Sequence, residues 1–280
     1  MLHHLRNKYE QKIQTIVADG FECELLSAAL DNLNTTGPLC INNFSYALRE
    51  LLRHMLQRLA IDEKIKECSW YKKDKSLCGG VTRAHRATYA IQGGLSDTFV
   101  IKKLGIDVVN ARKKLLETID ILSKYTHIEP ATFGINQIKA DCLATECLEA
   151  TQYFIEHIFD CRNKVVESLA EHIDHHLLEH VISETIDSVD ILATHHSIDE
   201  IYVNNAEVIN ISSKTIDLVI EGSISCELQY GSNSDVKNDI GALISTSFPF
   251  FAELTVQLER PLGKFASVVN FTVDTSRWYK

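Results

Sequence analysis

Hydrophobic residues along this chain recur with two different periods, and the change comes near residue 196. Before that point apolar positions return every three or four residues, which predicts amphipathic helices. After it they alternate with polar positions, which predicts strands. We therefore predict an α+β fold, with an α-helical domain at residues 1–196 followed by a small, mostly antiparallel β domain at residues 197–280.

The most prominent helical pattern covers residues 162–196, which hold half of the histidines of the chain. Its apolar positions fall at helical spacing: Val166, Leu169, Ile173, Leu177, Val181, Ile182, Ile186 and Val189. The pattern extends back to about residue 136, with a predicted break or bend near Asp160. His195 and His196 are predicted to lie at the end of the helix, where a positive charge favourably meets the helix dipole.

Capping residues predict further helix boundaries in the first half of the chain. Thr82 predicts the start of a helix that Gly93-Gly94 ends, and Ser96 opens the next one. A strongly amphipathic helix is predicted at residues 44–60, with arginines and a glutamate on its polar side.

In the last third of the chain, residues 201–203 and 208–211 predict two short strands. Alternation from Ile224 to Tyr230 predicts a half-buried antiparallel strand. The turn-rich segment GSNSDVKND, at residues 231–239, predicts a loop.

Composition is that of an ordinary soluble globular protein, with 45% hydrophobic and 24% charged residues. No apolar run approaches the ~18 residues that span a bilayer, and the first residues lack the apolar core of a signal peptide. We therefore expect a cytoplasmic protein that does not enter a membrane. The eight cysteines form no CxxC pair, which favours reduced thiols packed in the core over a structural zinc site.

The net charge of −10 argues against a protein that coats nucleic acid through its overall charge. Lysines and arginines nevertheless cluster at residues 49–58, 71–86 and 102–114. Any nucleic-acid contact is expected at those local basic surfaces.

Four histidines of the 162–196 segment lie close together on a helix. His172, His176 and His180 are four residues apart and His175 is a neighbour, so a helix places most of them on one side. Such spacing can ligate a metal, but the HExxH motif of zinc proteases is absent. The alternative is a polar, partly solvated helix face whose histidines pair with nearby acids.

Arg83, His85 and Arg86 stand at a predicted helix start. Two guanidiniums three residues apart suit a phosphate group, so these residues are candidates for binding nucleic acid. The alternative is that the arginines form ion pairs with acidic helices, of which this chain has many.

Lys124, His127 and Glu129 follow at the end of a predicted helix and could transfer protons near neutral pH. This arrangement resembles HEPN domains, helical bundles whose ribonuclease members carry an arginine and a histidine with four to six residues between them. Here Lys124 stands at a shorter interval, so the resemblance implies HEPN-like helices more than HEPN catalysis.

Asp217 and Glu227 are candidate metal ligands in a competing scheme. A helix followed by strands that carry these acids resembles the PD-(D/E)XK nuclease layout, in which acidic residues hold a divalent metal such as Mg²⁺ or Mn²⁺. Gln229 stands where that motif has its lysine.

Several longer strings of the chain resemble one protein family, the predicted pPIWI-associating nucleases of prokaryotic conflict and phage-defence islands. They are FSYALRELLRHMLQRLA (44–60), CSWYK (68–72), GVTRAHRATYAIQGGLSDTFV (80–100), LSKYTHIEPATFGI (122–135), LATHHSIDEIY (192–202), SISCELQYGSNSD (223–235) and VDTSRW (273–278). The resemblance implies a role in defence against invading nucleic acid, and it carries over no catalytic motif residue by residue.

Two functions remain open from the sequence. The first is a nuclease or nuclease-like component of an antiviral system, which acts on RNA or DNA together with partner proteins of that system. A homo-oligomer is compatible with this function. The second is a non-catalytic adaptor or sensor that uses the β domain as an interaction module.

Overall fold

The structure is a computed structural model that describes residues 3–74 and 80–279. It has an α+β fold, with helices in the first part of the chain and a four-stranded antiparallel sheet in the last part. The chain forms two compact units, whose boundary in the sequence lies between Cys161 and Arg162. The predicted change from helix to strand near residue 196 is confirmed, since the first strand begins at His195. The domain boundary expected at residue 196 stays a prediction.

The first unit is helical. Its described helices are α1 (His3–Gln14), α2 (Phe21–Asn32), α3 (Cys40–Leu59), α4 (Asp62–Lys66), α5 (Arg83–Gln92), α6 (Asp97–Lys102), α7 (Val108–Thr126) and the first part of α8 (Gln137–Ser183). The apolar side of α3 is fully buried from Phe44 to Met55, and it packs against α7, where Leu115 and Leu122 are also fully buried. Burial of this stripe is what holds an amphipathic helix in place.

The predicted boundaries of α5 are confirmed. The Thr82 hydroxyl accepts a hydrogen bond from the His85 backbone N–H at 3.1 Å, which caps the first turn. Gly93 ends the helix with a φ of +56°, a left-handed conformation that glycine adopts without strain. Ser96 caps α6 in the same way as Thr82 caps α5, through the Phe99 backbone N–H.

The predicted break near Asp160 is wrong, because α8 runs without interruption for 47 residues. Ile158, Cys161 and Val165 are fully buried at helical spacing on both sides of Asp160, so the buried stripe continues through it. The helix ends at Ser183, and the short helix α9 (Asp187–Asp190) follows.

His195 and His196 do not close a helix, since they begin strand β1 (His195–Ile211). They lie opposite Gln229 and Leu228 of β2 (Thr215–Tyr230). Pairing with a distant strand therefore decides their conformation.

The sheet is an antiparallel meander in the order β1–β2–β3–β4, with β3 at Ala242–Gln257 and β4 at Ala266–Val273. The alternation predicted in β2 is confirmed, because Ile224, Cys226 and Leu228 are fully buried. The two short strands predicted at 201–203 and 208–211 are parts of β1, whose register with β2 shifts at three places. Each shift inserts an extra residue and resets the alternation, so the pattern of one long strand resembles that of two short ones.

The segment predicted as a loop at 231–239 contains a further helix, α10 (Asn233–Lys237). Ser232 and Asp235 form a capping box, in which each side chain bonds the backbone N–H of the other residue. A short 3₁₀ helix, Ser276–Tyr279, follows β4.

None of the seven cysteines that the structure describes is in a disulfide, and Cys78 lies outside the described residues. Burial raises the pKa of Cys68 and of Cys147 to about 12, which keeps both thiols protonated and unreactive at neutral pH. None of the helices described here is both long and apolar enough to cross a bilayer.

Candidate nucleic-acid interface

A cavity of about 310 Å³ lies where α3, α5 and α7 pack together in the first unit. It is lined by Arg49, Glu50, Arg53, Leu56, Gln57, Arg83, Arg86 and Ile119. We call this the arginine cavity. Four arginines and a single glutamate make it a local positive site on a chain whose net charge is −10.

Glu50 organises the α3 side of the arginine cavity. Its carboxylate accepts a hydrogen bond from Arg49 Nη2 at 2.9 Å and another from Arg53 Nε at 2.8 Å. Burial acts to raise the pKa of Glu50, but the bonds from Arg53 and Arg49 outweigh it and hold the pKa below its ordinary value. Glu50 therefore stays charged and fixes both guanidiniums, and Arg53 also donates to the Gln57 side chain at 3.1 Å.

Arg86 has intramolecular partners. Its Nη1 donates to the Ala60 carbonyl at 2.7 Å, and its Nη2 lies 2.6 Å from Asp62 Oδ1. These contacts join α5 to Ala60, which follows α3, and to Asp62, the first residue of α4. For Arg86, the structure thus matches the ion-pair alternative raised by the sequence.

Arg83 is the least constrained guanidinium of the arginine cavity. Its Nη1 lies 3.7 Å from Asp120 Oδ1, and both side chains are mostly exposed. An exposed pair at this distance contributes little, at most about 1 kcal/mol, so an anionic ligand can replace Asp120 at low cost.

His85 has a structural role at the start of α5. Its Nδ1 accepts the Thr82 backbone N–H at 3.1 Å, which completes the capping box of α5. The ring also packs edge-on against Tyr71, with 5.1 Å between centroids. Burial lowers the pKa of His85, so the imidazole is neutral at pH 7 and offers no charge to a phosphate.

The polar residues of α3 that line the arginine cavity were not among the site residues chosen from the sequence. They are Arg49, Glu50, Arg53 and Gln57. Their signal was the polar side of the amphipathic helix α3 and the basic cluster at 49–58. That pattern alone does not say that this side of α3 faces α5.

Lys124, His127 and Glu129 are exposed around the end of α7. Lys124 stands one helical turn beyond Asp120, the partner of Arg83, so Lys124 borders the same surface. His127 follows Ile119 of the arginine cavity by eight residues, or about 12 Å along a helix axis. Within the described residues, the side chains of these three form no hydrogen bond or ion pair.

The turn that carries His127 and Glu129 is held by a buried threonine. Thr132 Oγ1 donates to the His127 carbonyl at 2.7 Å and accepts the Glu129 backbone N–H at 3.0 Å. The backbone is fixed while the two side chains point to solvent, an arrangement compatible with contact to a ligand.

Asp217 and Glu227 lie on the same strand, β2, ten residues apart. At about 3.3 Å per residue they are separated by about 33 Å, so they cannot ligate one metal ion together. Asp217 accepts hydrogen bonds from Asn210 and Thr255 on the two adjacent strands, which gives it a structural role. Across the described ranges, no group of three or more His, Cys, Asp or Glu side chains could hold a metal.

Three of the four histidines of α8, namely His175, His176 and His180, contact other residues of the second unit. His176 Nε2 lies 3.0 Å from the Gly263 carbonyl, and the His180 ring packs on Phe271 at 5.4 Å. His175 lies 3.3 Å from Glu179. This geometry agrees with a polar helix face.

Two family models match the chain, one at residues 14–151 and the other at residues 158–279. Both carry the description "Predicted pPIWI-associating nuclease". No curated protein and no solved structure matched.

Proposed function

Since the chain belongs to the predicted pPIWI-associating nucleases, we propose that it is a nuclease-like component of a prokaryotic antiviral defence system. In this proposal it binds RNA or DNA in the cytoplasm and acts with other proteins of that system. The observation that carries the proposal is the arginine cavity between α3, α5 and α7.

Phosphate recognition accounts for the composition of this cavity. A guanidinium donates in a planar fork that matches phosphate oxygens, and it keeps its charge at every physiological pH. The net charge of −10 repels nucleic acid overall, so binding depends on a local basic site of this kind. Arg83 and Arg53 have the more exposed guanidiniums of the four, which makes them the first phosphate contacts.

For the chemical step we propose the residues at the end of α7. His127 would accept the proton of the attacking hydroxyl or water as its oxygen bonds to phosphorus, and Lys124 would give a proton to the leaving oxygen as the phosphodiester P–O bond breaks. Glu129 is the third candidate. The fold of the first unit is HEPN-like in this proposal, and the reaction needs no metal.

Binding is tested by fluorescence anisotropy with labelled RNA and DNA at several salt concentrations. Arg83→Ala is expected to weaken binding and to reduce the slope of log K against log salt by about 0.7 to 0.9, the value for one lost phosphate contact. Arg277→Ala is the matched control, since Arg277 is an exposed arginine of the second unit. Equal affinities of wild type and Arg83→Ala would contradict the proposed site.

Catalysis is tested by incubating the protein with single- and double-stranded RNA and DNA, with and without Mg²⁺ or Mn²⁺. Cleavage that survives EDTA and disappears in His127→Ala supports the metal-free scheme. Cleavage abolished by EDTA and by Glu227→Ala supports the metal-dependent scheme instead, with Glu227 as a ligand and with partners other than Asp217. No cleavage, with the neighbouring gene products present, contradicts both schemes.

A second function, a non-catalytic adaptor, is favoured by one edge of the sheet. The first half of β3, from Ala242 to Ser247, pairs with β2, whereas the pairing of β3 with β4 begins only at Phe250. Within the described residues its other edge has no strand partner. Such an edge can add a strand from another protein, which is how interaction modules of this type bind.

A further inference from the structure

An exposed aromatic ring stands directly beside the arginine cavity. Tyr46 is 57% exposed on α3, one turn before Arg49. The Arg49 guanidinium carbon lies 5.9 Å from the centroid of the Tyr46 ring. The same arginine lines the cavity, so the ring and the cavity share a border.

Helix geometry places Tyr46 on the same stripe as the arginine cavity. Glu50, Arg53 and Gln57 follow Tyr46 by four, seven and eleven residues, the spacing of one face of an α-helix. A large aromatic side chain on that face does not contribute to the core. Its exposed ring is therefore free to contact a ligand.

A second aromatic contact lies further along α3, beside Arg53. The exposed Phe21 ring packs edge-on against the His54 ring at 5.0 Å, and His54 Nε2 lies 2.7 Å from Arg53 Nη2. Tyr46 and His54 are eight residues apart on α3, about 12 Å along the axis. Guanidiniums flanked by rings are the combination that tracks a single strand, since phosphates bind the charges and bases stack on the rings.

We infer that Tyr46 and the arginine cavity together bind single-stranded nucleic acid, with an unpaired base stacked on Tyr46 and the adjacent phosphates at Arg49, Arg53 and Arg83. This inference rests on the proposed function and specifies its substrate class. A duplex cannot use the ring, because its bases are already stacked on each other and paired.

The test compares a labelled single strand with a blunt duplex of the same sequence, as RNA and as DNA, by fluorescence anisotropy. Tyr46→Ala is expected to weaken single-strand binding about 5- to 150-fold, the loss of one base stack, and to leave duplex binding unchanged. Tyr46→Phe keeps the ring and should bind like wild type. Tyr202→Ala removes a tyrosine of the second unit that is 50% exposed, and this variant should also bind like wild type.

The outcomes separate this inference from the proposed function. If Tyr46→Ala binds single strands like wild type while Arg83→Ala is weakened, the base-stacking site is refuted and the phosphate site stands. Equal losses in Tyr46→Phe and Tyr46→Ala would assign the effect to the hydroxyl and also refute stacking. If neither Tyr46→Ala nor Arg83→Ala changes the affinity for any nucleic acid, the proposed function fails together with the inference. Far-UV circular dichroism of each variant verifies that it is folded.

Discussion

Replacing Arg86 by alanine distinguishes a structural arginine from a ligand-binding one within the same cavity. The substitution removes a hydrogen bond to the Ala60 carbonyl and an ion pair with Asp62. The Arg86 and Asp62 side chains are 21% and 31% exposed, so water partly screens their attraction. Hydrogen bonds to charged groups contribute about 1.5–3 kcal/mol each, and with this screening we expect a total loss of about 2 kcal/mol of unfolding free energy.

Urea unfolding followed by tryptophan fluorescence measures this loss. The chain has two tryptophans, and a Trp278→Phe background leaves only Trp70. Trp70 packs on the cluster that contains Ala60, so its emission reports on the region that Arg86 stabilises. In thermal unfolding the same loss corresponds to a fall in Tm of about 4–8 °C.

Two further measurements complete the experiment. The first is the stability of Arg83→Ala, and the second is a double-mutant cycle of Arg86→Ala and Asp62→Ala. Arg83 is exposed and loosely paired, so its removal should change the unfolding free energy by less than about 0.5 kcal/mol. The cycle should give a coupling of at least about 0.5 kcal/mol between Arg86 and Asp62. The reasoning is refuted if Arg86→Ala is as stable as wild type and the coupling is zero, because Arg86 would then be as free as Arg83 to bind a ligand.

Three further substitutions test other parts of the fold by the same unfolding measurements. A Cβ at Gly222 would lie 2.1 Å from the Tyr202 carbonyl oxygen, so Gly222→Ala should cost about 3 kcal/mol, and a cost below about 0.5 kcal/mol would contradict this packing. Arg58→Ala leaves the carboxylate of Glu22 buried without its guanidinium and should cost about 2 kcal/mol at pH 7. Burial acts to raise the pKa of Glu22, but Arg58 holds it below 4.5, so in wild type this stabilisation is present above pH 4.5 and is lost as the pH falls further. Burial lowers the pKa of His85 below 6.5, so wild type should lose stability as the pH falls below 6.5. His85→Gln keeps the capping acceptor and should not show this loss of stability.

Local features of the fold could be predicted from the sequence. The start of α5 at Thr82 and its end at Gly93 follow from hydrogen bonds and dihedral angles within four residues, which adjacent side chains determine. The alternation of β2 predicted an antiparallel strand because one of its faces is buried.

Features that depend on distant partners could not be predicted. The register shifts of β1 arise from its pairing with β2. Because they interrupt the alternation, the sequence of one long strand showed the pattern of two short strands. In the same way, the pairing of His195 with Gln229 placed a predicted helix end in a strand.

The candidate site divides along the same line. The sequence by itself determined which side chains can bind a phosphate, because a guanidinium carries its charge and its donors in any fold. Only the tertiary structure decided which arginines are available: packing of α3 against α5 and α7 brings Arg49 and Arg53 to Arg83. It also engages Arg86 with Asp62 and makes His85 a neutral cap. The physical reason is that a side chain's chemistry is intrinsic, whereas its exposure and its partners come from residues far away in the chain.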